Sequence, residues 1–157
     1  MAKHLRRDLD ALKKEILTMG AMVEEAANKA ISALMDRRPE LADEVIEGDD
    51  AIDDKEVHIE VECMKILALH QPVASDRRFT VTVLKVNNDL ERMGDLAVNI
   101  AERVRGLAGS RPAGVPVDFR EMIETVRRMV RWSLDALVNL DTRSEERRVG
   151  KECRSRW

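Results

Sequence analysis

A chain of 157 residues has room for one ordinary domain with a real core, and its 44 % apolar, 36 % charged and 3 % aromatic residues, with no tyrosine, favour helices over sheets. A formal charge of -3 leaves no global field to draw in nucleic acid or an anionic membrane. Cys63 and Cys153 form neither a disulfide framework nor a metal knuckle, and no apolar run reaches the roughly 18–20 residues of a bilayer span, so a cytoplasmic protein, neither exported nor integral, is expected.

Leu5, Leu9, Leu12, Ile16, Met19, Val23, Ala26, Ala30 and Ala33 recur at steps of four and three, which predicts one apolar stripe on a long first helix. It should stop around Asp36 to Pro39, because proline disfavours helical geometry in the residue before it and suits a new first turn. A short helix through Glu47 follows, and Gly48 marks a break. Asp49 or Asp50 is then available to cap a second long helix ending near His70, before Gln71-Pro72. Ser75 offers an N-cap to the third long helix, where Val83, Val86, Leu90, Met93, Ala97, Ile100 and Val104 form another seam. Three long helices on short connections alternate in direction and bury their stripes against one another. Residues 1–108 therefore read as an antiparallel three-helix bundle, in an all-α fold.

Residues 109–117, rich in Gly and Pro, have the composition of a linker. A further helix is expected over residues 118–141, with Phe119, Met122, Val126, Met129, Ala136 and Leu140 as its apolar face. Without partners that face would be exposed, which predicts self-association or misfolding. Residues 142–157 lose all periodicity and carry excess positive charge; the stretch reads as a disordered segment foreign to the protein rather than as a binding tail.

Glu56 and Glu60 stand one helical turn apart, inside a broad apolar arc with Ile52, Ile59, Cys63, Met64, Ile66 and Leu67. A buried carboxylate there needs a cation, a partner or a route to water. Glu91 and Asp95 repeat the spacing on the third long helix, on a face expected to meet solvent beside Asn88 and Glu102. Carboxylates paired across helices suit hard or borderline cations such as iron, manganese or magnesium, while ordinary solvated acidic pairs would show the same spacing. The di-iron Glu-x-x-His pattern does not occur, and His4, His58 and His70 read as surface or helix-end residues. The cluster Asp49, Asp50, Asp53 and Asp54 reads as helix capping, and Arg127, Arg128 and Arg131 are too spread for a phosphate site. No phosphate loop, nucleophile elbow or Cys-His pair is found, and Cys63 reads as a core residue. No catalytic residues and no enzyme activity are expected.

The segments Val45-Ile46-Glu47-Gly48-Asp49, Glu56-Val57-His58-Ile59-Glu60, Gln71-Pro72-Val73-Ala74-Ser75-Asp76 and Leu90-Glu91-Arg92-Met93-Gly94-Asp95 closely resemble the PhoU family of phosphate-transport accessory proteins. Met19-Gly20-Ala21-Met22-Val23-Glu24 also resembles that family's first helix. The resemblance implies two tandem three-helix bundles, of which this chain would carry the first and the opening helix of the second, C-terminally truncated. It also implies metal clusters held by Glu/Asp-x-x-x-Asp motifs, matched by Glu56 with Glu60 and Glu91 with Asp95, the cofactor being a multinuclear cluster of iron or another divalent or trivalent cation. Glu60 stands where the family has aspartate, and Arg77 where it has leucine. The implied role is a homodimeric adaptor that links the ATPase subunit of the phosphate ABC transporter to the sensor histidine kinase and holds down the phosphate-starvation response. A metal- or phosphate-handling bundle is the alternative.

Overall fold

The computed structural model describes residues 2–109 and 118–139. Five helices occur among them: α1 (Ala2–Asp36), α2 (Pro39–Glu47), α3 (Asp49–His70), α4 (Ala74–Leu107) and α5 (Arg120–Val138). The fold is all-α, as expected, and no strand occurs among the described residues. Residues 110–117 and 140–157, which hold most of the expected linker, Leu140 and the segment expected to be foreign, lie outside the described residues.

The stripe of α1 buries Leu12, Ile16, Met19, Val23, Ala30 and Ala33, and α4 faces it with Val83, Leu90, Ala97, Ala101 and Val104. From α3, Ile52, Ile59, Cys63 and Ile66 complete the core. The buried set separates into two clusters. One is built of Leu, Ile, Met and Val from α1, α3, α4 and α5; the other, around α2, is built mainly of Ala30, Ala33, Ala42, Ala97 and Ala101.

The breaks follow local backbone chemistry. Arg37 takes a left-handed φ of 53°, Arg38 is extended before Pro39, and the Arg38 N–H donates to the Ala33 carbonyl at 3.0 Å, closing the end of α1. Gly48 keeps near-helical angles, and its N–H donates to the Glu44 carbonyl at 3.1 Å, so α2 passes into α3 with one short interruption. Gln71 at φ 44° ends α3. Two predicted caps are not made. Gly48 and Val73 occupy the N-cap positions of α3 and α4 without side-chain cap bonds, so Asp49 and Asp50 lie in the first turn and Ser75 one residue inside α4.

The α5 helix lies on α1 through a face that overlaps the predicted one only in part, at half-buried Phe119 and Val126. Ile123, Val126 and Val130 are half-buried and Leu134 and Leu137 buried, while Met122, Met129 and Ala136 are exposed. Gly20 makes the close approach possible, since a Cβ there would overlap the Leu134 δ-methyl. Asp118 Oδ1 accepts the Arg120 N–H at 2.9 Å and organises the entry to the helix.

Candidate acidic site between two helices

Asp49, Asp53, Glu56 and Glu60 follow one another at steps of four, three and four, so they share one face of α3. Beside them α4 contributes Glu91 and Asp95. Two residues of α4 set the register. Asn87, buried one turn before Glu91, donates from Nδ2 to the Glu56 carbonyl at 2.9 Å. Gly94 lets the helices close up: a Cβ there would sit 3.3 Å from an Ile52 methyl and 3.7 Å from Asp49 Oδ1.

The result is a field of like charges. Burial pushes the Glu91 carboxyl above its ordinary range, and the carboxylates of Asp95, Glu56, Asp53 and Asp49 add to the shift. Asp49 is also pushed up, first by burial and then by Asp53, Asp95 and Asp50. None of Asp49, Asp53, Glu56, Glu60, Glu91 or Asp95 joins an ion pair among the described residues. Uncompensated acids on packed helices work against stability, which makes the region a functional candidate.

The two predicted pairs are alike rather than different. Each has one half-buried member, Glu56 or Glu91, and one exposed member, Glu60 or Asp95. The apolar arc is narrower than expected because Met64 is exposed, so Glu60 reaches water. Conversely, Glu91 lies on a less solvated face than its helix pattern implied. The structure brings Asp95 and Glu56 within electrostatic reach of Glu91, and Glu60 stands one turn beyond Glu56, where it bears on Cys63. Asp49 and Asp53 belong to the same field. Reading them as caps missed this, although their spacing to Glu56 and Glu60 already placed them on one face.

In charge and donor type these oxygens fit a hard cation. Among the described residues, however, no three His, Cys, Asp or Glu side chains are gathered as a group that could hold a metal ion. The donors fit in kind and are not drawn around one point.

The remaining candidates have other roles. Cys63 is fully buried and its thiol is pushed up to about 12, chiefly by burial, which makes it an inert core residue. Arg127 and Arg131 both hold Glu24 on α1, whereas Arg128 is exposed and lies 3.4 Å from Thr125 Oγ1. His70 Nε2 lies 2.9 Å from Asp8 Oδ2, tying the end of α3 to the start of α1; His4 and His58 are exposed. No helix among the described residues is long and apolar enough to cross a membrane.

Fold and site together define a class: a helical-bundle protein with an acidic face between two of its long helices. The family described as PhoU domain matches residues 16–104, and the chain belongs to the PhoU family. It is 41 % identical to the phosphate-specific transport system accessory protein PhoU homolog of Aquifex aeolicus, over 94 % of this chain and 67 % of the relative. It is 38 % identical to the homolog of the same name from Pseudomonas putida, over 90 % of this chain and 56 % of that one. The crystal structure of PhoU from Pseudomonas aeruginosa superposes with a TM-score of 0.78 at 39 % identity, covering 87 % of this chain and 66 % of that chain. The chain thus spans between 56 % and 67 % of the length of these relatives.

Proposed function

We propose that this chain acts in the cytoplasm as a docking adaptor of the phosphate-transport system, linking the transporter's ATPase subunit to the phosphate sensor histidine kinase and restraining the starvation response when phosphate is plentiful. The accessory role named for its relatives supports the general reading. The observation that carries the mechanism is the uncompensated acidic face of Glu56, Glu91 and Asp95 with Asp49 and Asp53. Such a field selects and steers cationic partners, and it fixes register more than it adds raw affinity.

Glu56, Glu60, Glu91 and Asp95 are the residues that would hold a multinuclear cation cluster, with Asp49 and Asp53 adding negative charge. Held by these carboxylates, a cation would supply neutralisation of their charge. The second reading, a metal- or phosphate-handling bundle, draws on the same acids and differs in what the metal is for.

Calorimetric titration with Mn²⁺, followed by binding of the ATPase subunit and the kinase with and without metal, separates the two. A cation at about one hundred times its Kd stabilises a fold by about 2.7 kcal/mol. That gain is expected in the wild type and should be largely lost in Glu91→Gln. Partner binding that survives chelation supports the adaptor; phosphate affinity that needs the metal, with no partner binding, replaces it with the second reading.

A further inference from the structure

We propose that the outward face of α3 docks a cationic amphipathic helix of another protein. The inference rests on the docking role above and narrows it to one surface and one partner chemistry. Val57, Val61 and Met64 are 54 %, 45 % and 56 % exposed, and they stand at i, i+4 and i+7 with exposed Ala68 one turn further on. They form a single row about 16 Å long, turned away from the buried row of Ile52, Ile59, Cys63 and Ile66. Isolated exposed apolar side chains are ordinary on any surface, but a row in helical register is what an amphipathic helix reads.

The charge beside the row chooses the occupant. Asp53, Asp54 and Glu60 flank it, are exposed, and make no ion pair among the described residues. The nearby lysines are committed, Lys55 to Glu15 and Lys65 to Glu62. A second copy of this row brings no unpaired cation to these carboxylates, because its own Lys55 and Lys65 are committed in the same way, so a homodimer would use another face. Anionic headgroups and nucleic acid are repelled for the same reason. A helix with its own apolar row and flanking lysines or arginines satisfies both features. Because the acids crowd the half of the row nearest Gly48, the partner's positive charge should concentrate at that end.

The test uses the full chain, with chelator present, and a short helical Leu/Lys peptide with leucines along one face; a Leu/Glu peptide of the same pattern is the control. Binding is read by fluorescence anisotropy and by ¹³C-methyl methionine spectra. The Leu/Lys peptide is expected to bind saturably and to shift the Met64 methyl while leaving that of exposed Met122 on α5 unchanged. The double variant Val57→Ser with Val61→Ser, which touches only exposed positions, should weaken binding about tenfold. Undiminished binding to that variant, equal binding of the Leu/Glu peptide, or a shift at Met122 equal to that at Met64 would overturn the proposal. So would self-association abolished by the same double variant, or cosedimentation of the chain alone with phosphatidylserine vesicles that the double variant abolishes. If the ATPase subunit and kinase bind the double variant as tightly as the wild type, the docking surface lies elsewhere and the adaptor reading survives.

Discussion

Glu24 on α1 and Glu91 on α4 are both drawn partly out of water, and their surroundings are opposite. Around Glu24, whose side chain is 13 % exposed, Arg131 donates at 2.5 and 3.0 Å and Arg127 at 2.8 Å. The Arg131 hydrogen bond, aided by Arg127 and opposed by burial, holds this carboxyl below its ordinary range. Glu91 meets only like charge from Asp95, Glu56, Asp53 and Asp49, and is pushed the other way. The first arrangement fastens α5 to α1. The second costs stability and is what a binding surface retains when its ligand is expected to supply the missing charge.

The sharpest way to break the comparison is Leu134→Ala, which removes the apolar anchor of the fastened region. A loss of about 2–5 kcal/mol is expected, read as faster amide hydrogen exchange along α5 with α3 and α4 unchanged. Equal loosening of all three helices would mean that the two regions form one cooperative unit.

Glu24→Gln should cost less, about 1–3 kcal/mol, because the amide oxygen can still accept at one position while the amide NH2 cannot accept at the other and charge assistance is lost. The sign with pH is defined by the depressed folded value. Glu24's contribution is fully present above its ordinary carboxylate range and is lost as pH falls through its folded pKa. Acid titration of wild type and variant should therefore converge at low pH, and parallel curves would remove the assignment.

Glu91→Gln should act in the opposite direction and least of all, stabilising the metal-free protein by about 0.5 kcal/mol at neutral pH through relief of repulsion with Asp95 and its neighbours. Here the folded pKa is raised, so the wild type's penalty is complete above that value and fades as pH falls toward the unfolded one. Denaturant midpoints at pH 7 and near pH 4 would show the gain shrinking. A destabilised variant at pH 7 would put Glu91 among the structural carboxylates with Glu24.

The seams of α1 and α4 were legible because three-four periodicity sustained from Leu5 to Ala33 and from Val83 to Val104 leaves few alternatives, and Pro39 and Pro72 punctuate the chain by backbone sterics alone. The caps were not legible: an aspartate or serine near a helix start reads as a cap whether or not its oxygen reaches the backbone, and here the chain turns at Gly48 and Val73. Two apolar rows compete on α5, and the sequence-spaced Met122, Met129 and Ala136 row lost to the one that Gly20 can receive. Nothing local reveals that Arg127 and Arg131 answer Glu24 more than one hundred positions away. At the acidic site the carboxylate pairs were visible, whereas their burial was not, because it depends on how Asn87 and Gly94 register one helix on the other.

The two core clusters differ in the size of what fills them. Around α2 the buried set is Ala30, Ala33, Ala42, Ala97 and Ala101 with Val45 and Val104; the other holds Ile16, Met19, Ile59 and Leu90. Sequence drift is therefore bounded from opposite sides in the two clusters. The large-residue cluster fails by hollowing when a side chain shrinks, and the alanine cluster fails by wedging when one grows.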